Sequence, residues 1–520
     1  MKRVRFKDYD QGQIILFPAD MGESIPEHAP VRLISRIVDG LEIGALMETY
    51  RMEGCPAYNP RMMLKLLFYA YMNNIYSCRR IEREAAQNIH FMWLSGRQYP
   101  SFSTINRFRS ERLKKCINAL FIEVVKVLVE AGVVSLEEQY IDGTKIESVA
   151  NKYTFVWRKN VERHKGNLER KIKGVLSQIE EGIAQDNAPS PDDDPTPFSV
   201  KELQEAIAKI NQRAAQMPTS TKEEKAQKRA ELKRAKELGA MAKKHAEYEN
   251  QLETLGNRNS YSKTDKDATF MRMKEDAMNN GQTKPGYNLQ ISTNHQFITH
   301  FQFFPNPTDT LTLIPFLENY IQSYGIAPTT LCADAGYGSE ENYHFLETHQ
   351  TAAYVKYNYF HKEQHPRRVP NPFAPESLYY NKESDYYVCP MGHHMTNIGS
   401  SLKPTSSGYP SLITRYRCKN CKTTCPLRGQ CTKAQKGART IEVNHELNRY
   451  KAQARELLLS AEGIRQRGER CIEPEAVFGQ IKFNKGYKRF RHYTQDKVNM
   501  DFGLFAIAFN LQKYARKQAS

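Results

Sequence analysis

Two carboxylates, Asp142 and Asp334, lie far apart in the chain but have similar local surroundings. Asp142 ends the apolar, β-prone run in QYIDGTKI, and Asp334 ends a similar run in TTLCADAGYG; a small-residue turn follows each. Both are therefore expected at the carboxyl ends of strands, where the ligands of α/β sheets gather. A buried carboxylate is costly without a cation nearby. We therefore predict that the two aspartates share one cation-binding site.

A third carboxylate, Glu475, lies in the segment EAVFGQIKFNKGYKRF. Lys482 follows it by seven residues, which predicts that both side chains lie on one face of a helix. Three carboxylates from two strand ends and a helix can hold two Mg²⁺ ions about 4 Å apart. Such ions activate the attacking oxygen and stabilise the leaving oxygen of a phosphodiester. The predicted chemistry is therefore metal-dependent cleavage of a nucleic acid backbone.

The charge of the chain indicates the same substrate. Lys and Arg number 75 against 58 Asp and Glu, which gives a net charge of +17 and a pI near 9.2. This excess favours a polyanion, most commonly nucleic acid, although a basic solvated surface is the simpler alternative.

The segment after Glu475 interleaves basic residues with Tyr487, Phe490 and Tyr493. Phosphate contacts and base stacking are predicted there. The alternative is a basic loop whose aromatic residues pack into the core. The basic residues are Lys485, Lys488, Arg489 and Arg491.

Residues 30 to about 130 are predicted to be mostly helical, because apolar residues recur at helical spacing in segments such as NPRMMLKLLFYAYMNN. Ser103 is the predicted N-cap of an arginine-rich helix. Short helices around a turn over about 77–115 fit a DNA-binding helix-turn-helix. An ordinary helical bundle with an exposed basic face fits equally well. The arginines of that helix are Arg107, Arg109 and Arg112.

Residues 158–255 are rich in Lys, Glu, Ala and Gln and carry apolar residues at helix-like spacing. They predict a helical hairpin that projects from a globular body, with a third helix from about Thr221 to Leu255. A supporting arm is the simplest role, and dimer or DNA contacts are the alternative. Strands return at PGYNLQISTN and FITHFQFFPN, and Thr308 and Asp309 are expected to cap the helix that follows. This order predicts a mixed α/β sheet into whose sequence the arm is inserted.

Five of the ten cysteines crowd one segment. A Cys-x₂-Cys pair with further cysteines nearby is typical of structural Zn²⁺ sites, which need four ligands. Because His393 and His394 are also close, the sequence leaves the ligand set open; reduced thiols and a redox role are the alternatives. The cysteines are Cys389, Cys418, Cys421, Cys425 and Cys431.

The sequence gives no indication of a membrane partner. No apolar run approaches the roughly 20 residues that span a bilayer, and the first residues lack the apolar stretch of a secretory signal. Cysteines that act as metal ligands rather than as disulfides agree with a reducing compartment. We therefore expect a cytoplasmic protein.

The segments YIDGTKIES, ADAGYGSEEN and EAVFGQIKFNKGYKRF resemble the three acidic motifs of DDE transposases encoded by bacterial insertion sequences. The resemblance covers most of the chain and is closest to the eleven-eighty-two family, a relative of the four/five superfamily. It implies that two Mg²⁺ or Mn²⁺ ions are held by Asp142, Asp334 and Glu475. Lys482 matches the family's lysine that contacts the transposon end. Arg470 is a further candidate DNA contact, but the superfamily's arginine lies four residues before the glutamate, so Arg470 matches it only with a shift of one residue.

Glu473 is a rival to Glu475 as the third ligand. The spacing to the Phe-Gly pair and to the lysine of the motif favours Glu475. The resemblance further implies four parts of the chain. These are a helical DNA-binding domain (1–130), a helical insertion (158–255), a cysteine-rich, zinc-ribbon-like insertion (361–439) and an RNase H-like catalytic domain of mixed α/β class (135–157, 256–360 and 440–515).

The activity implied by the resemblance is transposition. The protein would bind the terminal inverted repeats of its element, hydrolyse phosphodiesters and join the exposed 3′ ends to target DNA. Holding two ends together implies a homodimer in the synaptic complex. A nuclease or resolvase that cuts without joining is one alternative. A domesticated DNA-binding protein without catalysis is the other, and three intact carboxylates weigh against it.

Overall fold

The computed structural model describes residues 20–50, 56–181, 200–273, 281–419, 425–433 and 437–519. The N-terminal part is helical, as predicted from its periodicity. Ser101 caps α6 by accepting a hydrogen bond from the Thr104 amide, so the prediction of Ser103 as the cap is wrong. A π-helical turn, Phe108–Arg112, follows α6. The helices are α1 (Pro30–Gly40), α2 (Gly44–Met47), α3 (Pro60–Met72), α4 (Cys78–Gln87), α5 (Ile89–Ser95), α6 (Phe102–Arg107) and α7 (Ile117–Glu130).

A mixed sheet of six strands forms the centre of the described chain, in the order β4-β5-β1-β7-β8, with β6 also paired to β5. Strand β1 runs antiparallel to β5 and parallel to β7, and β7 is parallel to β8. Of the first eight strands, β2 and β3 lie outside this sheet and pair with each other. The first eight strands are β1 (Glu138–Glu147), β2 (Phe155–Trp157), β3 (Ser260–Ser262), β4 (Thr269–Arg272), β5 (Thr283–Asn294), β6 (Phe297–Phe304), β7 (Thr330–Ala333) and β8 (Ala352–Val355).

Three helices between β2 and β3 form the predicted arm: α8 (Arg158–Glu181), α9 (Val200–Gln216) and α10 (Lys222–Leu255). The last one begins where the sequence indicated, because Thr221 and Glu224 form a capping box. Apolar residues such as Ile172, Ile210 and Leu238 form a seam in which α8 and α9 both pack on α10.

A second sheet of five antiparallel strands follows, in the order β13-β12-β11-β10-β9. Its hydrophobic cluster is small and is centred on Tyr387, Met395 and Tyr416. The remaining strands are β9 (Tyr379–Asn381), β10 (Tyr386–Val388), β11 (His394–Pro404), β12 (Pro410–Cys418) and β13 (Thr440–Val443). The later helices are α11 (Leu313–Tyr324), α12 (Glu340–Thr348), α13 (Phe360–Glu363), α14 (Arg428–Cys431), α15 (His445–Leu459), α16 (Ala461–Ile472), α17 (Pro474–Gly479) and α18 (Gln495–Ala519).

Two hydrophobic clusters hold the central sheet between helices. One joins the N-terminal helices, β5, β6 and α18, and the other joins β1, β7 and β8 to α11, α12 and α15. The predicted domain boundary near residue 130 lies at the end of α7, and residues on both sides of it belong to the first cluster. Within the described ranges, no helix combines the length and apolarity that a membrane span requires.

Candidate active site

The register of the central sheet brings the two predicted aspartates together. Ile141 in β1 pairs with Ala333 in the parallel strand β7, so Asp142 and Asp334 follow as neighbours. The pairing with β7 ends there. The sequence suggested that β1 also ends at Asp142, but it does not. It continues to Glu147 against β5, because the antiparallel partner is longer than the parallel one.

Glu475 is brought to the same place by a break between two helices. α16 ends at Ile472, and the backbone of Glu473 (φ −74°, ψ −89°) redirects the chain into α17, which starts at Pro474. Proline is well tolerated in a first helical turn, where its missing N–H has no partner to lose. Glu475 therefore lies in the first turn of α17, which packs against β1.

The three carboxylates meet around one guanidinium group, that of Arg470 in the last turn of α16. Its Nη2 lies 3.3 Å from Asp142 Oδ2 and 3.5 Å from Asp334 Oδ2. Its Nη1 lies 3.4 Å from Glu475 Oε1. The Arg470 side chain is 6% exposed, whereas those of Asp334 and Glu475 are 50% and 53% exposed. The cluster is therefore closed on the arginine side and open to solvent on the other.

The electrostatics of the cluster keep Asp334 ionised. Burial by itself would raise the pKa of Asp334, but Arg470, the Ala335 amide and Lys356 outweigh it and hold the pKa below its ordinary value. Lys356 is buried, with Nζ 3.9 Å from Asp334 Oδ1. The same carboxylates raise the pKa of Arg470 against the opposing effect of burial. Sequence reasoning missed Lys356, because a single lysine at the end of a strand carries no motif.

A network of polar side chains lies beside Gly143 in β1 and beside the turn that follows Asp334. Asp309 Oδ1 accepts hydrogen bonds from Asn288 Nδ2 (2.9 Å) and Gln290 Nε2 (2.8 Å). The Tyr337 hydroxyl donates to Gln290 Oε1. The expectation that Asp309 caps a helix is therefore wrong. The N-cap residue of α11 is Thr312, which makes no side-chain capping bond.

No group of three Asp, Glu, His or Cys residues in the described ranges has a geometry that could hold a metal ion. In the triad, the guanidinium of Arg470 lies where the three carboxylates converge. Because Asp142 Oδ2 and Asp334 Oδ2 contact the same nitrogen, they are at most 6.8 Å apart, the sum of the two distances. The donor set itself suits a hard divalent cation, which takes carboxylate oxygens as ligands.

The rival carboxylate, Glu473, points away from this cluster. Its Oε2 accepts a hydrogen bond from the Gln296 amide at 2.7 Å, in the turn between β5 and β6. Burial raises the pKa of Glu473. The choice of Glu475 over Glu473 thus agrees with the observed geometry.

The residues after Glu475 differ from a regular helix. A π-helical turn, Gln480–Asn484, follows α17. Because a π-helical turn contains more residues than an α-helical turn, later side chains are rotated relative to an α-helix. Lys482 is buried in this turn, whereas Phe483 is 63% exposed, with Lys488 Nζ 4.3 Å from its ring centroid.

The basic segment divides into buried and exposed residues. Tyr487 and Phe490 are buried in the main hydrophobic cluster, so the prediction that they stack on bases is wrong, and Tyr493 is 46% exposed. Lys485 donates to the Met72 carbonyl at 3.1 Å, and burial lowers its pKa to about 8.

Three predicted DNA contacts of this segment are exposed. Arg489 Nε donates to the Ser148 carbonyl at 3.1 Å, and Arg491 lies over the Tyr76 ring. The exposed contacts are Lys488, Arg489 and Arg491.

The three N-terminal arginines also differ in how far they are exposed to solvent. Arg107 is exposed. Arg109 is buried and donates to the Tyr71 hydroxyl (3.2 Å) and the Tyr76 carbonyl (2.9 Å), which speaks for a packing role and against a DNA contact. Arg112 lies over the Tyr50 ring, 3.8 Å from its centroid.

Four of the five predicted zinc ligands line one small cavity at the end of the second sheet. The cavity has a volume of about 30 Å³, and Cys421 lies outside the described residues. Arg439 also lines it; this side chain is buried, and its Nη1 has no hydrogen-bond partner among the described atoms. His394 stacks on Tyr386 instead. The cysteines and histidine that line the cavity are Cys389, Cys418, Cys425, Cys431 and His393.

Two family models match the chain. One, described as a transposase DDE domain, covers residues 388–515, and the other, described as a transposase domain (DUF772), covers residues 19–111. The comparisons with curated proteins and with solved structures each found no match. The first range includes Glu475 and Arg470, whereas Asp142 and Asp334 lie outside both ranges. The sequence of the chain is thus similar to transposases in two separate segments, which supports a DDE transposase.

Proposed function

We propose that this protein is a DDE transposase that binds the terminal inverted repeats of an insertion sequence, cuts them and joins them to target DNA. The observation that carries the proposal is the convergence of Asp142, Asp334 and Glu475 on one guanidinium group, half open to solvent. The order of the central strands, with β1 between an antiparallel and a parallel neighbour, supports an RNase H-like catalytic domain. The eleven-eighty-two family is the proposed branch.

The proposed cofactor is a pair of Mg²⁺ or Mn²⁺ ions held by the three carboxylates. When bound, the ions would supply the charge that activates a water or a 3′-hydroxyl and stabilises the leaving oxygen. The chain's own residues would do the rest. The half-exposed Asp334 and Glu475 leave room for a phosphate, and Lys488 and Arg489 would neutralise the backbone on either side. Two copies of the chain would hold two transposon ends.

We also propose a structural Zn²⁺ in the second sheet, with Cys389, Cys418, Cys425 and Cys431 as ligands. These thiols line one small cavity, and cysteine sulfurs are the usual ligands of structural zinc. The hydrophobic cluster of that sheet is small, and small cores commonly need a metal or another cross-link.

The test of the proposed activity uses a duplex that carries the inverted repeats found beside the reading frame, with Mg²⁺ or Mn²⁺. Wild-type protein should nick the repeat ends and transfer them into a plasmid. Asp142→Ala, Asp334→Ala and Glu475→Gln should abolish cutting and leave the affinity for the repeat unchanged. Glu473→Gln is the matched control, because its carboxylate faces Gln296 rather than the triad.

Two results would contradict the assignment of the triad. One is cutting that persists in all three variants, and the other is an equal loss in Glu473→Gln while that variant remains folded. Nicking without transfer would restrict the activity to that of a nuclease.

A further inference from the structure

The side chain of Arg470 makes its contacts with the proposed metal ligands rather than with an ordinary salt-bridge partner. Each of its two Nη atoms faces triad oxygens, and its buried Nε has no hydrogen-bond partner among the described atoms. An arginine with a structural role typically forms a bidentate pair with one carboxylate. Arg470 instead divides its contacts among three carboxylates that come from two strands and a helix.

The contact distances indicate a loose arrangement. They lie between 3.3 and 3.5 Å, whereas charge-assisted N–H···O bonds are commonly about 2.7–2.9 Å long. Mg²⁺ binds its oxygen ligands at about 2.1 Å. A cation held at that distance by the same oxygens would strongly repel a guanidinium that stays in its present place. Arg470 and a divalent ion therefore compete for these carboxylates.

The position of Arg470 allows a third group to decide this competition. It lies at the end of α16, on the buried side of a cluster whose other side is open to solvent. A phosphate that approached Asp334 and Glu475 would come within a few ångströms of the Nη atoms. Guanidinium groups commonly bind phosphate oxygens in a two-pronged geometry, which is stronger than a single charge-assisted contact.

We propose that Arg470 is an internal competitor of the divalent ions. In the absence of DNA it holds the triad together and keeps metal affinity low, and a backbone phosphate of the bound DNA draws it away. Metal loading is thereby coupled to substrate binding, which would limit cutting of unrelated DNA. The inference rests on the proposed function, because it takes the three carboxylates as the metal site. Arg470 is a positioning residue in this scheme.

The test is metal binding without catalysis. Mn²⁺ affinity of the full chain is measured by calorimetry and by electron paramagnetic resonance, with and without an uncleavable repeat duplex. Without DNA, Arg470→Gln should bind Mn²⁺ at least tenfold more tightly than wild type, because a positive charge has left the site. Arg470→Lys keeps the charge and should lie close to wild type. Arg467→Gln is the matched control, one turn earlier on α16 and packed on the Phe360 ring.

The coupling between DNA and metal separates this role from a purely structural one. The duplex should raise Mn²⁺ affinity by a larger factor in wild type than in Arg470→Gln, and by linkage Mn²⁺ should raise DNA affinity by the same factors. If Arg470→Gln proves unfolded by circular dichroism, Arg470→Met replaces it, since methionine keeps the length of the side chain.

Equal or weaker Mn²⁺ binding by a folded Arg470→Gln would overturn the inference. The proposed function would survive that result if wild type still cuts and the triad variants do not. Absence of Mn²⁺ binding and cutting in wild type would instead refute the proposed function itself.

Discussion

The substitution Gly143→Ala tests whether the close packing of β1 at Gly143 sets the position of the Asp142 carboxylate. A Cβ at residue 143 would lie 2.7 Å from Asp309 Oδ1 and 2.9 Å from Gln290 Cδ, and closer still to Gln290 Nε2. Ordinary contacts begin near 3.4 Å, so Asp309 must retreat by about 0.7 Å, the difference from 2.7 Å, and the closer Gln290 amide nitrogen by more, unless the strand itself moves. The backbone of residue 143 is not in the left-handed region, so the effect is steric alone.

The neighbours of Gly143 cannot retreat freely. Gln290 Nε2 donates to Asn288 Oδ1 (3.0 Å) and to Asp309 Oδ1 (2.8 Å), and its carbonyl oxygen accepts from Tyr337. Breaking two of these bonds costs about 1–3 kcal/mol, and overpacking adds a similar amount. If β1 moves instead, Asp142 moves with it, and a shift of about 1 Å in a catalytic group lowers the rate about 100-fold.

We therefore expect Gly143→Ala to lower the rate of repeat-end cleavage about 100-fold, with a modest fall in melting temperature and unchanged DNA affinity. Gly468→Ala, in the interior of α16 with no atom within 4 Å of the added Cβ, is the control and should be neutral or slightly stabilising. Because the clash involves Gln290, Gln290→Ala should cost less in the Gly143→Ala background than in wild type. Cleavage by folded Gly143→Ala within twofold of wild type would refute the reasoning.

Four further outcomes are expected. Burial lowers the pKa of Lys485 to about 8, so between about pH 8 and 10.5 the unfolded chain binds the proton of this lysine more readily than the folded chain does. In thermal melts, the stability of wild type relative to Lys485→Met should therefore rise with pH over that window, by up to about 3 kcal/mol, and should stay constant below it. Lys488→Gln should reduce the slope of log affinity against log salt for repeat DNA by about 1, as loss of one phosphate contact does. Cys389→Ser should lose zinc in elemental analysis of the purified protein, whereas Cys471→Ser, exposed on α16, should retain it. Arg109→Met should lower stability by about 3–5 kcal/mol, because it leaves buried polar partners without their cation.

The three acidic residues were predicted from separate local patterns, and the structure brings all three to one guanidinium group, although β1 continues past Asp142. Strand ends and small-residue turns indicated Asp142 and Asp334, and the register of β1 and β7 makes them neighbours. The spacing to the Phe-Gly pair and to the lysine of the motif favoured Glu475 over Glu473. These are short-range signals, and they survived because tertiary packing did not override them.

The charge partners of the triad could not be predicted in the same way. Arg470 was predicted to bind DNA. Its contacts with the carboxylates depend on the break between α16 and α17 at Glu473, whose backbone angles no residue pattern specifies. Asp309 and Lys356 come from elements remote in sequence, and only the packing of β5, β7 and β8 brings them near the aspartates. The π-helical turn likewise buries Lys482, because one wider turn rotates every later side chain relative to an α-helix.

The same limit applies to the division of the chain. The sequence suggested a separate N-terminal DNA-binding domain, but Tyr71 of α3 and Tyr487 after the triad both donate to the buried carboxylate of Asp501 in α18. Tyr71 and Tyr487 belong to one hydrophobic cluster, which includes residues of both segments that match transposase families. A buried polar network of this kind holds its elements in one arrangement, because any shift would leave a charge unpaired. Any DNA contact made by the N-terminal helices, such as one from Arg107, would therefore be held at a fixed distance from the triad.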